Sequence, residues 1–317
     1  MTPHSTGEIN YRQIARKISD AFGKFPQVTS LLNNMEDRFQ AALSPGEPEH
    51  LLVTGEPGTG KSTILRHFAT SYPSVVHEEW TEVPVIYAEI PARTTIKALA
   101  GILLQAMGSP FWDKGDETQR TRQLRTLLAG CKTRMIILDE INHLVDRGGV
   151  RTHYHVGDWI KQLSGPGGPV LVLAGTPRAE LLLATNAQLR SRFGQQVIVH
   201  ALSANDQHIK LFSKVLKSFE GRLPPLPCID LGDPAVTRQF AFATDGRLRA
   251  ICHLLRRAVA VASRASAPRI DGETLAQAFV EAIYASATPE RNPVHPKFNG
   301  IPLARAGEPF APEAARG

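Results

Sequence analysis

Apolar positions along this 317-residue chain change their spacing twice. Between residues 8 and 43 they fall at helical intervals. Tyr11, Ile14 and Ile18 form one short stripe, and Pro26 opens a second with Val28, Leu31, Leu32, Met35 and Phe39. The break SPGEPE (44–49) separates this pair from a different regime. From 50 to 200, short and nearly continuous apolar runs alternate with helical patterns. The runs predict strands at 50–54, 83–90, 134–138, 169–174 and 195–199. The patterns between them predict helices at 61–71, 94–107, 117–130, 153–164 and 186–191. Strands apolar on both faces and separated by helices imply a parallel sheet covered on both sides.

Beyond 200 the strand-like runs stop. Ser203 and Asp206 suit a helix start ahead of Ile209, Leu211, Phe212, Val215 and Phe219. RLPPLP (222–227) reads as a turn, and helical spacing returns at 233–244, 246–264 and 271–286. Pro289, Pro293, Pro296, Pro302, Pro309 and Pro312 then predict an extended or disordered tail. The expected organisation is a helical segment at 1–48, an α/β domain with a five-stranded parallel sheet at 49–200, a helical domain at 201–286 and a tail at 287–317.

Chemistry enters at HLLVTGEPGTGKST (50–63). Gly55, Glu56, Pro57, Gly58, Thr59, Gly60, Lys61 and Ser62 complete the phosphate-binding loop, and Thr63 continues into a helix. Glycines let successive N–H groups turn towards phosphate oxygens, and the following helix start adds its positive end. Lys61 is placed to reach the β- and γ-phosphates of ATP, and the Ser62 hydroxyl to ligate Mg²⁺. MIILDE (135–140) ends a buried strand in two carboxylates, at the edge where open α/β sheets bind ligands. Asp139 suits the Mg²⁺ shell and Glu140 the activation of an attacking water, so the pair favours hydrolysis over transfer to a metabolite. Thr176, ending PVLVLAGTP, can meet the γ-phosphate or the water. QLRSRFG (188–194) offers two guanidiniums, Arg192 first and Arg190 second, and TDGRLRAI (244–251) offers Arg249, with Arg247 as runner-up.

These elements in this order resemble the AAA+ ATPases over roughly residues 25–285. Several segments are also similar to the TniB/TnsC group of transposition ATPases: IPARTTIKALAGILLQAMGSP (90–110), DEINHL (139–144), VLAGTP (172–177), LRSRF (189–193) and NPVHPKFNGI in the tail. The resemblance implies a lid at 201–286 carrying Arg249 towards the γ-phosphate. It implies an arginine finger, Arg192 or Arg190, acting on a neighbouring copy's nucleotide. It also implies a homo-oligomer (ring, spiral or filament) on double-stranded DNA that recruits a DDE transposase and a TniQ-type target-selection protein. Asn142-His143 and the paired arginines of QLRSRF depart from any fixed AAA+ pattern.

Charge adds a weaker signal. Net charge is +6; residues 201–317 carry 15 basic against 11 acidic groups, and residues 1–200 carry 21 against 19. Seven arginines lie between 238 and 269, with only Asp245 opposing in that stretch. Arg93, Thr94, Thr95 and Lys97 suit phosphate-backbone contact at a helix start, and Arg147 and Arg151 flank a glycine pair in a loop. Without interleaved aromatics, DNA binding of this kind would read little sequence. His153 and His155 read as surface histidines. Cys131, Cys228 and Cys252 are too scattered for a disulfide framework. The N-terminal MTPHSTGEINYRQ has no signal-peptide core, and no apolar run spans a bilayer. The expected setting is cytoplasmic, with no membrane partner. Three other readings share part of this chemistry: a replication-initiator or loader-like AAA+ ATPase, a signalling or scaffold NTPase, and a small-molecule kinase.

Overall fold

The computed structural model describes residues 11–19, 23, 25–44, 46–146 and 150–312, and they divide into two compact units. One is formed within 26–200, the other by residues of 1–25 with those of 201–317. The two helices expected as a single N-terminal segment are therefore shared out. α1 (Tyr11–Ser19) belongs to the second unit and α2 (Pro26–Ala41) to the first.

In the first unit, β1 (Leu51–Thr54) leads through the phosphate loop into α3 (Lys61–Thr70). A two-stranded antiparallel hairpin follows, β2 (Val75–Val76) and β3 (Thr81–Glu82), which the apolar pattern did not predict. Next come β4 (Val85–Glu89), α4 (Ile96–Ala106), α5 (Glu117–Gly130), β5 (Met135–Asp139), α6 (Asn142–Val145) and α7 (Val150–Leu163). β6 (Val170–Gly175), α8 (Glu180–Thr185), α9 (Ala187–Arg192) and β7 (Gln195–Ile198) complete it. The main sheet is parallel throughout, in the order β4-β5-β6-β1-β7.

Side chains alternate across this sheet. Leu52, Ile86, Ala88, Ile136, Leu138, Leu171 and Leu173 join the core that includes residues of α4, α5, α7, α8 and α9. Successive strand residues point to opposite faces, so Tyr87, Glu89, Ile137 and Asp139 lie on the other one, where α3 packs against β4 and β5. α2 covers α3 there through Phe39, whose ring meets Phe68 edge-on at 6.2 Å and Tyr72 at 4.1 Å.

The second unit gathers α1, α10 (Ile209–Glu220), α11 (Pro234–Thr244), α12 (Leu248–Ala262) and α13 (Gly272–Ala282) around Phe212, Phe240, Leu255 and Phe279. The stretch expected as an extended or disordered tail differs through residue 312. It has almost no regular structure, yet Val294, Leu303 and Ala311 are buried, the first two within this unit's core. Its clasp is polar. Arg291 donates to Glu308 Oε1 (2.7 Å), Asn299 Oδ1 (3.1 Å) and the carbonyls of Ile301 and Pro302 (2.9 Å each). Burial alone would raise the Glu308 carboxyl. The Arg305 N–H and the Arg291 guanidinium hold it below the ordinary range instead. Prolines keep such a segment from forming helix or strand, and side-chain donors do the fastening.

Arg291 and Glu308 are half-buried, and removing the guanidinium leaves the Glu308 carboxylate and two carbonyls without their donor. Arg291→Ala is therefore expected to destabilise the protein by about 1–3 kcal/mol in chemical denaturation, with the segment after 286 opened to proteolysis. A loss below about 1 kcal/mol would mean that the clasp is ornamental.

Candidate active site

Three strand ends meet at the C-terminal edge of the sheet. Register places Thr54 beside Gly175 and Glu89 beside Asp139, so the phosphate loop after β1, the acidic pair closing β5 and Thr176 after β6 share one edge. The loop's backbone requires glycine. Gly58 and Gly60 have φ of 84° and 101°, a region L side chains rarely enter. At Gly55 a Cβ would lie 2.3 Å from the Val199 carbonyl oxygen. Thr59 is buried and donates through Oγ1 to the Glu56 carbonyl (3.0 Å), closing the turn; Glu56 and Pro57 are exposed at its tip. The Ile64 N–H to Gly60 carbonyl bond (3.1 Å) starts the helix, so the N–H groups of Lys61, Ser62 and Thr63 precede the ladder, as at any helix start. Lys61 is 6% exposed and donates to the carbonyls of Gly55 (2.7 Å) and Glu56 (3.0 Å). Its ammonium lies over the loop, where a phosphate would exchange places with those carbonyls.

Asp139 is fully buried. Its Oδ1 accepts the Glu140 N–H (2.9 Å) and its Oδ2 accepts the Tyr87 hydroxyl (2.8 Å). Tyr87 in turn accepts from Arg66 Nε (3.1 Å), and Arg66 pairs with Glu89 at 2.5 Å. Burial first, then the Asp139 charge, pushes the Tyr87 phenol well above the tyrosine range, which keeps it a neutral donor. Glu140 sits at φ 57°, a left-handed conformation that costs an L residue about 1–2 kcal/mol. The residues after it hold that turn. Ile141 N–H bonds the Ala174 carbonyl (2.9 Å), Asn142 Oδ1 accepts the Thr176 N–H (3.1 Å), and His143 Nδ1 lies 2.6 Å from the Ile90 carbonyl. Asn142 and His143 thus bind the acidic turn to the strand on each side. The Thr176 hydroxyl is buried and has no hydrogen-bond partner among the described residues. An orphaned hydroxyl, a glycine cradle and a buried carboxylate along one sheet edge fit a nucleotide phosphate with a hard divalent cation.

Sequence reading missed Tyr87, Arg66 and Glu89. The signal lay in VPVIYAEI, where Tyr87 and Glu89 are the polar-tipped residues of an apolar strand and share its α3 side.

Both arginines of QLRSRF are described. Arg192 bonds the Ser164 carbonyl (3.2 Å) and pairs with Glu47 (3.0 Å) within its own chain. Arg190 is exposed and forms no ion pair among the described residues. In the helical unit, Arg247 is tied to Asp245 (3.0 Å) and lies over Phe310, while Arg249 is exposed on the first turn of α12. Asp245 is not the sole opposing charge of the arginine-rich stretch, because α13 brings Glu281 to Arg257 (3.4 Å) and Arg264 (3.2 Å).

Of the residues expected at DNA, Arg93 and Lys97 are exposed. Thr94 donates to the Pro91 carbonyl (2.6 Å) and Thr95 caps α4 by accepting the Ala98 N–H (3.2 Å), so both hydroxyls order the turn that presents the two cations. Arg147 and the Arg151 side chain lie outside the described residues. His153 is not a surface histidine: it is 8% exposed, with Nε2 3.0 Å from the Val145 carbonyl. His155 is exposed and pairs with Glu117. No cluster of potential metal-binding His, Cys, Asp and Glu side chains occurs among the described residues, nor any helix long and apolar enough to cross a membrane.

No curated protein matches the sequence. Solved structures are similar in fold. The CDC6P protein of Pyrobaculum aerophilum is 18% identical with a TM-score of 0.63, over 87% of this chain and 72% of that one. The ORC1 protein of Aeropyrum pernix, solved in complex with DNA, is 20% identical with a TM-score of 0.61, over 85% and 69%. The Drosophila ORC bound to DNA is 17% identical with a TM-score of 0.53, over 92% and 69%. Residues 13–219 match the family described as "Bacterial TniB protein", so an AAA+ fold with this loop, acidic pair and strand-end threonine belongs to a member of the TniB family.

Proposed function

We propose that this TniB-family chain is an ATP-dependent, largely sequence-nonspecific DNA-binding regulator of transposition that hydrolyses ATP between adjacent copies. The observation that carries the reading is the single sheet edge shared by the phosphate loop, Asp139, Glu140 and Thr176. ATP with Mg²⁺ supplies the phosphoanhydride bond to be hydrolysed. Lys61 turns its ammonium from the Gly55 and Glu56 carbonyls to the phosphates. Ser62 and Asp139 would hold the Mg²⁺. Glu140 takes a proton from the attacking water, and Thr176 donates its hydroxyl towards the terminal phosphate or that water.

The guanidinium acting on a neighbour's nucleotide comes from QLRSRF. Arg190 stands ready for that contact. Arg192 reaches it by leaving the exposed Glu47 carboxylate and the Ser164 carbonyl. Contact through the terminal phosphate makes assembly depend on ATP, and hydrolysis loosens it. Arg93 and Lys97 meet the DNA backbone. The assembly on duplex DNA then recruits a DDE transposase and a TniQ-type partner, as family membership and the resemblance in LRSRF and DEINHL support. The likeness to ORC and CDC6P chains favours one second reading, an initiator-like ATPase. It predicts short assemblies on DNA where the transposition reading predicts extended ones by electron microscopy.

Glu140→Gln is expected to lower turnover by at least about 100-fold while holding the ATP-bound protein on duplex DNA. Rapid release of that variant from DNA would remove Glu140 from the base role. Arg190→Ala and Arg192→Ala are each to be mixed with Lys61→Ala protein. The variant lacking the finger recovers turnover in mixed assemblies, and recovery by neither refutes a contribution between copies. Arg93→Ala with Lys97→Ala is expected to weaken DNA binding and flatten its logarithmic salt dependence by about 2. An unchanged slope would place the DNA elsewhere.

A further inference from the structure

Asp139 and Ser62, the two protein ligands assigned to Mg²⁺, stand on different elements, β5 and the start of α3. A hard octahedral cation tolerates little error in the spacing of its ligands. The Asp139 carboxylate takes hydrogen bonds from the Glu140 N–H and the Tyr87 hydroxyl. The connection between the two elements runs through Arg66 and Tyr87. Arg66 follows Ser62 by one helical turn, so the two share a face of α3. From that face its Nε donates to the Tyr87 oxygen (3.1 Å), and the Tyr87 hydroxyl donates to Asp139 Oδ2 (2.8 Å). Glu89, in register with Asp139 on the neighbouring strand, anchors the same guanidinium at 2.5 Å.

We propose that Tyr87, braced by Arg66, is a positioning residue that fixes the Asp139 carboxylate at a set distance from Ser62 and so prepares the Mg²⁺ site; this rests on the nucleotide-site reading above. Geometry explains why tyrosine serves. Its oxygen accepts from Arg66, which leaves the hydroxyl proton one acceptor to serve, Asp139. With Oδ1 held by the Glu140 N–H and Oδ2 by Tyr87, the carboxylate cannot rotate, yet each oxygen keeps a lone pair for the metal or its water. The same contact offsets the burial of the carboxylate through a neutral donor. Groups that hold a metal ligand from behind usually alter metal affinity by about 10–100-fold when lost.

The test uses the full chain and a fluorescent ADP analogue, titrated with and without Mg²⁺. Tyr87→Phe keeps the ring and deletes the donor. The Mg²⁺ concentration giving half-maximal response is expected to rise about 10-fold or more. Affinity for the analogue without metal is expected to stay unchanged, and ATP turnover at saturating Mg²⁺ to lose kcat with KM retained. Arg66→Gln, which loses the charged brace, is expected to shift the Mg²⁺ midpoint in the same direction by a smaller factor. An unchanged midpoint in Tyr87→Phe overturns the inference. So does an equal fall of metal-free and metal-dependent binding, which would mean a loosened fold. Wild-type protein that binds the analogue without regard to Mg²⁺ would overturn the underlying site reading instead.

Discussion

A fully buried carboxylate at the end of a central strand is the constraint around which the α/β unit is arranged. Taking an ionised Asp139 out of water is costly unless fixed donors replace its hydration. The chain supplies them from two places. The left-handed turn at Glu140 aims one N–H at Oδ1, and Tyr87 on the adjacent strand aims a hydroxyl at Oδ2. That turn is itself strained, and its cost is offset by Ile141, Asn142 and His143, which bond the strand on either side. Strain held this firmly beside an acidic pair is characteristic of a working site.

The same constraint gives α3 two tasks. Its first turn continues the glycine loop proposed to cradle phosphate, and one turn later Arg66 reaches the carboxylate through Tyr87. A helix with both tasks must not slide, and α2 prevents that through Phe39, Phe68 and Tyr72. Tyr72 also donates to Glu36 of α2. A polar lock over an aromatic cluster therefore continues, through α3, to the atoms that would meet the cation.

Much of this was legible in residue order. β1, β4, β5 and β6 are largely buried and leave apolar runs, whereas the exposed edge strand β7 showed only as the short QQVIV; all five appeared within two residues of their observed ends, and the glycine–lysine–serine loop announced the edge of the sheet they form. What stayed hidden depended on contacts distant in sequence. The β2–β3 hairpin is too short to show alternation, and the four residues of α6 too few to show helical spacing. Proline content suggested a loose tail because composition cannot reveal that Arg291 and Glu308 find each other across 17 residues. His153 looked like a surface residue until the fold turned it onto the Val145 carbonyl. Tyr87 read as one more apolar strand position, since its meaning comes from an acid 52 residues away.

ATP-dependent function requires a nucleotide phosphate to occupy the place where Lys61 now meets the loop carbonyls. Calorimetric titration of the full chain with ADP and ATP in the presence of Mg²⁺ examines that most directly. Saturable binding at one site per chain, lost in Lys61→Ala with folding intact, is the predicted result. Absence of binding by the wild-type chain, or equal binding by Lys61→Ala, would contradict it.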